Sequence, residues 1–130
     1  MRFARVVFLL AGLYGLATLL PLYFLERRIA TDSPPPVTHP EFYYGFIGVA
    51  LAWQFLFLLI ARDPLRLRPA MLASVIEKLL YDTGTVALFL QGRLATAGLV
   101  FGLVDLLLGT LFVVAFISTH SREKISRSFR

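Results

Sequence analysis

The chain has 130 residues, 58% of them hydrophobic and 16% charged, with a mean hydropathy of +0.75. Soluble domains average about 45–50% apolar and about 25% charged residues, so this composition excludes an ordinary soluble domain. The lack of cysteine excludes a disulfide framework, a thiolate metal site and thiol redox chemistry by the chain itself.

The apolar residues gather into four blocks of 20 or more, each long enough at about 1.5 Å per residue to cross a hydrocarbon layer about 30 Å thick. The first block, about 4–25, follows Arg2 and Arg5. It is too long for the apolar region of a signal peptide and lacks Ala-x-Ala before the polar segment, so an uncleaved helix is expected. Residues 26–41 are polar and proline-rich, with Pro34-Pro35-Pro36 and His39-Pro40, and predict one long extended loop.

A second helix is expected over about 42–61, closed by Arg62-Asp63-Pro64 because Pro64 disfavours helical geometry at Asp63. Pro69 suits the first turn of a third helix, about 70–91, since its missing N–H has no helical partner there. Gly92-Arg93 turns the chain into a fourth, about 94–117, followed by a basic tail over 118–130. In that tail Ile125 and Phe129, four apart among Arg122, Lys124 and Arg127, fit either a short helix on the membrane surface or a solvated end that only sets topology.

The reading is therefore an all-α, four-helix transmembrane bundle in a single domain, 1–130. Basic residues orient it. Arg2, Arg5, Arg62, Arg66, Arg68, Arg122, Lys124, Arg127 and Arg130 are nine on one side, against Arg27, Arg28 and Arg93, three on the other. The excess predicts both termini and the 62–68 turn to be cytoplasmic. The net charge of +5 lies in these short segments, where the implied partner is anionic lipid rather than nucleic acid.

The third helix carries the chemistry. Ser74, Glu77, Lys78, Tyr81, Asp82 and Thr85 recur at helical spacing on one face. Placed against lipid, Glu77, Lys78 and Asp82 would cost about 7–10 kcal/mol, less any relief from Lys78 snorkelling to the cytoplasmic side. The apolar residues of the same helix return about 3–5 kcal/mol, so the stripe must face partners, water or protons. Lys78 and Asp82, four apart, can meet on the helix surface, and Lys78 is expected to compensate Asp82 or Glu77.

The fourth helix adds Asp105 on the face of Gly98, Gly102 and Gly109, small residues that allow close helix approach and turn Asp105 inward. The second offers Gln54 at similar depth and a small face of Gly45 and Gly48 for packing. Three carboxylates then stand against one ammonium. Such a cluster suits a ligand pocket, a proton or cation route, or a hydrogen-bond network that holds the helices in register. Candidate ligand or proton residues are Glu77, Lys78, Tyr81, Asp82, Asp105 and Gln54. Tyr23, Tyr43 and Tyr44 suit an interfacial belt, to which Tyr14 and the phenylalanines add belt or core packing.

His39, Asp32 and Glu41 share no metal-ligand spacing and read as a solvated loop. Neither a phosphate-binding glycine loop nor a hydrolytic or di-metal motif occurs, so no metal or cofactor is expected.

With the segments His39-Pro40-Glu41-Phe42-Tyr43-Tyr44-Gly45, Ala61-Arg62-Asp63-Pro64 and Glu77-Lys78, the chain resembles the small four-helix bacterial membrane proteins grouped as DoxX-like. The resemblance covers the whole length in topology and implies a multi-pass protein of the bacterial inner membrane, without implying a chemistry. The topology is also similar to the four-helix core of eukaryotic sterol-isomerase-type proteins, which use carboxylates within a bundle, but none of their motifs is matched here.

Three functions compete. The first is a binding or accessory protein for a lipid-like or apolar ligand with a basic group, or for a partner helix. The second is a proton- or cation-coupled transporter or channel subunit working as a homodimer. A membrane enzyme acting on a lipophilic substrate is third. Topology is directly testable: cysteines introduced at Ser33 and Ser121 should react with impermeant maleimide from opposite sides of the membrane, and labelling from the same side refutes the four-span reading.

Overall fold

The computed structural model describes the backbone of residues 1–128 and the side chains as far as His120. Among the described residues it is all-helical: α1 (Arg2–Leu19), α2 (Glu26–Asp32), α3 (Pro40–Arg62), α4 (Arg68–Leu90) and α5 (Thr96–Ser128). Three segments are long and apolar enough to cross a membrane: Arg2–Phe24, Pro40–Arg62 and Thr96–His120. At 23 residues α4 has the length of α3. It falls outside that class because Glu77, Lys78 and Asp82 occupy its middle.

The helix ends follow local chemistry. Pro21 cannot donate a backbone hydrogen bond, and α1 tightens there into a 3-10 turn over Leu20–Phe24. Residues 26–32, expected as extended loop, form α2 instead, since no proline falls within them. The Thr31 hydroxyl donates to the Arg27 carbonyl, and Arg28 pairs with Asp32 one turn on at 3.4 Å.

At the other turn, Gly92 takes φ +69, and the amides of Gly92 and Arg93 donate to the carbonyls of Phe89 and Leu88. Those two bonds close α4 in a Schellman arrangement that requires the left-handed glycine. The fourth long helix runs well past the expected end near residue 117, its backbone helical to Ser128. The side chains of Ile125 and Phe129, and hence their surface-helix reading, lie outside the described residues.

The four long helices run antiparallel to their neighbours, with α4 packed along α5, α1 along α3, and α1 against α5 joining the two pairs. Alternation places residues 33–39 and Gly92-Arg93 at one end, the loop end, and Met1 with the 63–67 turn at the other. Near the latter the core is dense and aromatic. The rings of Phe8 and Phe112 stack at 4.2 Å, and Phe57 meets both edge-on at 5.9 and 5.0 Å. Ile60, Met71, Ala4 and Ala115 complete this plug.

Close approach of α1 to α3 depends on Gly12 and Gly15. A Cβ on Gly15 would collide with Gln54 Oε1, and one on Gly12 would fall 2.8 Å from Leu58 Cδ2. The small face of α3 that the sequence offered does not serve this purpose. Gly45 has nothing within 4 Å and Gly48 only the Tyr23 hydroxyl at 3.9 Å, because that face turns away from α1. Between α4 and α5, Gly102 receives Thr85 and Gly109 receives the Lys78 stem. Gly98 instead faces Leu94 of the preceding turn.

Gly15→Val should therefore lower thermal stability in detergent by about 1–3 kcal/mol through overpacking against Gln54. Gly48→Ala, with space to fill, should leave the melting temperature unchanged; equal losses in both would refute this packing.

Candidate functional site

Along α4 the buried positions are Met71, Ser74, Lys78, Asp82 and Thr85, at spacings of three or four residues that keep one face turned to α5. Lys78 is the pivot. Its Cβ would-be neighbour on α5 is Gly109, 3.1 Å away if that glycine carried a Cβ, which leaves room for the lysine stem. From there the ammonium reaches one turn toward the loop end and donates to Asp105 Oδ2 at 3.0 Å. Glu77 Oε2 lies 3.4 Å from the same nitrogen, and the Phe57 ring centroid 5.4 Å. An ammonium over an aromatic face and between two carboxylates is favourably placed in a region without bulk water.

Of the two local partners expected from the sequence, Glu77 lies beside the ammonium and Asp82 does not. Lys78 bonds Asp105 of α5 rather than Asp82 of its own helix, and it does not snorkel toward the 63–67 end. Asp82 is 7% exposed, and its Oδ1 is buried without a hydrogen-bond partner. Glu77 Oε2 is likewise buried and, despite its proximity to Lys78, makes no hydrogen bond.

Between the aromatic plug and the loop end the helices form a cavity of about 210 Å³ that is partly open to the surface. Its base is Glu77, Lys78 and Asp105; Tyr14, Gln54 and Tyr81 add polar groups, and Leu19, Leu22, Phe46, Phe101 and Leu108 supply apolar wall. Gln54 donates its amide to the Ala50 carbonyl at 2.8 Å, with its Oε1 against Gly15. Tyr81 stacks on Phe46, centroids 6.2 Å apart, across the gap between α4 and α3.

Toward the loop end the Tyr43 hydroxyl donates to the Leu22 carbonyl and that of Tyr44 to Glu26 Oε2, both at 2.6 Å. The rings of Tyr23 and Tyr44 stack beside them. This tyrosine cluster ties the 3-10 turn and α2 to the start of α3.

Of the residues singled out from the sequence, Glu77, Lys78, Tyr81, Asp105 and Gln54 line the cavity together, whereas Asp82 lies outside its lining, between α4 and α5. Tyr14, Thr18, Phe46 and Phe101 line it without having been singled out as site residues. For Tyr14 a signal existed: it lies between Gly12 and Gly15, whose spacing marks a close helix contact. Phe46 and Phe101 carried none, since either could equally have faced lipid.

The set can hold an ammonium or a hydrogen-bond donor at the two carboxylates and an apolar body against the walls. Among the described residues no group of three His, Asp or Glu side chains converges as a metal site, and His39 pairs with Glu41 in an exposed position. Comparison with protein-family models, characterised proteins and solved structures finds no match to this chain.

Breaking the central pair from one side should be severe. Lys78→Met leaves Asp105 and Glu77 buried without a cation and should destabilise the folded protein by about 3–5 kcal/mol. Adding Asp105→Asn should restore much of that loss, while Glu77→Gln alone, which removes excess negative charge, should be neutral or stabilising. Thermal unfolding of the four purified proteins checks this; a double variant no better than Lys78→Met refutes the pairing.

Proposed function

We propose that the protein is a small integral membrane binding protein whose cavity takes a lipid-like or apolar molecule carrying a basic group. The observation that carries this reading is the cavity itself: apolar walls over a base with two carboxylates and one ammonium, formally one negative charge in excess. A cationic or donor head would meet the base and an apolar body the walls.

The reading includes α4 as a fourth span, both termini on the cytoplasmic side, and residence in a bacterial inner membrane. What supports the fourth span is the pairing of α4 with α5 from Met71 against Thr119 to Thr85 against Gly102. Its polar face is thereby turned from lipid. The nine-to-three basic count supports the orientation, and the DoxX-like resemblance the location.

The second reading, proton or cation passage by an oligomer, draws on Asp82 and its unpartnered buried oxygen. Against it stands the Phe8–Phe57–Phe112 plug, which fills the bundle on the other side of Lys78, where the buried hydroxyls of Ser74 and Thr119 donate to carbonyls of their own helices, Ala70 and Ala115.

Protein purified from its membrane in mild detergent should release a stoichiometric lipophilic base on organic extraction, detected by mass spectrometry. Ala50→Phe, which fills the cavity, should lose it while keeping its helical content. Acid-loaded liposomes containing the protein should leak protons no faster than empty ones. Absence of any bound lipophile together with proton flux above background would replace the binding reading by the transport one.

A further inference from the structure

A second hollow of about 360 Å³ lies on the lipid side of the bundle between α3 and α4, lined by Trp53, Ala73, Ile76, Glu77 and Leu80. It shares Glu77 with the internal cavity, so this one side chain stands between the two spaces. The boundary is thin elsewhere too. Helices α3 and α4 meet over a short stretch, whereas α4 with α5 and α1 with α3 are packed along their length. On the lipid side of this seam Ile76 and Leu80 are exposed and Ala73 leaves space.

We propose that the α3–α4 seam is a lateral portal to the bilayer, in which the hydrocarbon chain of a primary ammonium ligand lies against Trp53, Ile76 and Leu80 while its head is held at Glu77. The inference rests on the binding reading above and adds the route and the position of the chain.

Size supports it. An apolar cavity of about 150 Å³ accommodates benzene, so one of about 210 Å³ takes a polar head and a few carbons but not a long aliphatic chain. The remainder must leave the cavity. Toward the 63–67 end the aromatic plug blocks it, and at the loop end the tyrosine cluster closes α3 onto the 3-10 turn. The seam beside Glu77 is a way out lined by apolar side chains, and from Ala73 to Leu80 it offers about 10 Å of α4 surface.

Charge supports it as well. Asp105 already accepts a hydrogen bond from Lys78, whereas Glu77 Oε2 makes none and is the carboxylate left to receive a further donor.

Trp53 is the sole tryptophan of the chain, so its emission reports the seam. The test uses the full chain in phosphatidylcholine vesicles, with dodecylamine carrying bromine on its terminal carbon as a contact quencher. Quenching of Trp53 should saturate, be relieved by unbrominated dodecylamine and not by dodecanol, and require about tenfold or more higher amine in Glu77→Gln. Ala73→Phe, which fills the hollow without touching the charges, should also suppress it. A control with Trp53→Phe and Leu107→Trp, reporting the lipid face of α5, should show only unsaturable quenching.

Saturable binding of radiolabelled dodecylamine without saturable quenching of Trp53 overturns the portal and leaves the binding reading standing. No saturable binding by either readout overturns both. Relief by dodecanol as strong as by the amine overturns the role of Glu77 as the seat of the head. Phosphatidylethanolamine in the vesicles separates two sources of the same chemistry: competition assigns the ligand to a membrane lipid, and its absence to a free amine, the portal being supported in either case.

Discussion

Between Arg68 and Arg93 the chain has one basic side chain, Lys78, and the middle of the bundle is arranged around where its ammonium goes. In a region without bulk water a lysine must be met by an opposite charge, and a carboxylate left unpaired there is as costly as the lysine. Asp105 supplies the partner from α5, and the bond at 3.0 Å fixes the register of α4 on α5 more strictly than apolar packing alone. Apolar side chains slide past one another at small cost, whereas an ion pair displaced by one turn leaves two buried charges. Gly109 beneath the lysine stem and Gly102 beneath Thr85 belong to the same constraint, since both allow the approach that the pair requires.

The two halves of the bundle differ because their side chains differ in size and polarity at equivalent depth. On one side of Lys78 three phenylalanines from α1, α3 and α5 interlock and leave no gap. On the other, Gly15, Ala50 and Thr18 replace bulky groups, and Tyr14, Gln54 and Tyr81 bring polar atoms that cannot simply collapse on one another. A cavity forms where small and polar residues coincide, and the ion pair lies at its base because the plug begins there. A site with apolar walls and convergent polar groups at one end is suited to orienting an amphiphile.

The legible part of the fold was the part set by local rules. The apolar blocks located the long helices, Pro64 and Pro69 marked the turn between α3 and α4, and the period of the polar residues on α4 identified the buried face, whereas Pro40, read as part of the loop, opens α3. What one sequence did not carry was the partner across a helix interface. Spacing offered Asp82 to Lys78 because i and i+4 share a face, but the competing carboxylate one helix away meets the ammonium instead, with Gly109 giving the stem its room.

The glycines show the same limit. Gly12 with Gly15 and Gly45 with Gly48 have one spacing and one composition, and only the assembled bundle distinguishes the pair packed against α3 from the pair facing open space. Proline content likewise overstated the extended loop, since α2 ends before the first of its prolines.

The weakness of α4 as an isolated span follows from the same residues that give the site its chemistry. Its three central ionisable groups remove it from the class of helices able to cross a membrane by composition, whereas α5, with a mean hydropathy of 2.5 over its apolar segment, tolerates one carboxylate. Joined by the five residues 91–95 that include the glycine-capped turn, the two form a hairpin in which α5 supplies both the apolar surface and the counter-charge. Packed against each other, the two helices bury Lys78 and hold its ammonium at Asp105. Glu77 is not consumed in that exchange: it touches the ammonium without a hydrogen bond and stands at the edge of the pair, toward α3. The carboxylate that holds the hairpin, Asp105, and the carboxylate whose buried oxygen is left without a hydrogen bond, Glu77, are therefore different residues, so a change at Glu77 leaves the pair that sets the register of α4 on α5 intact.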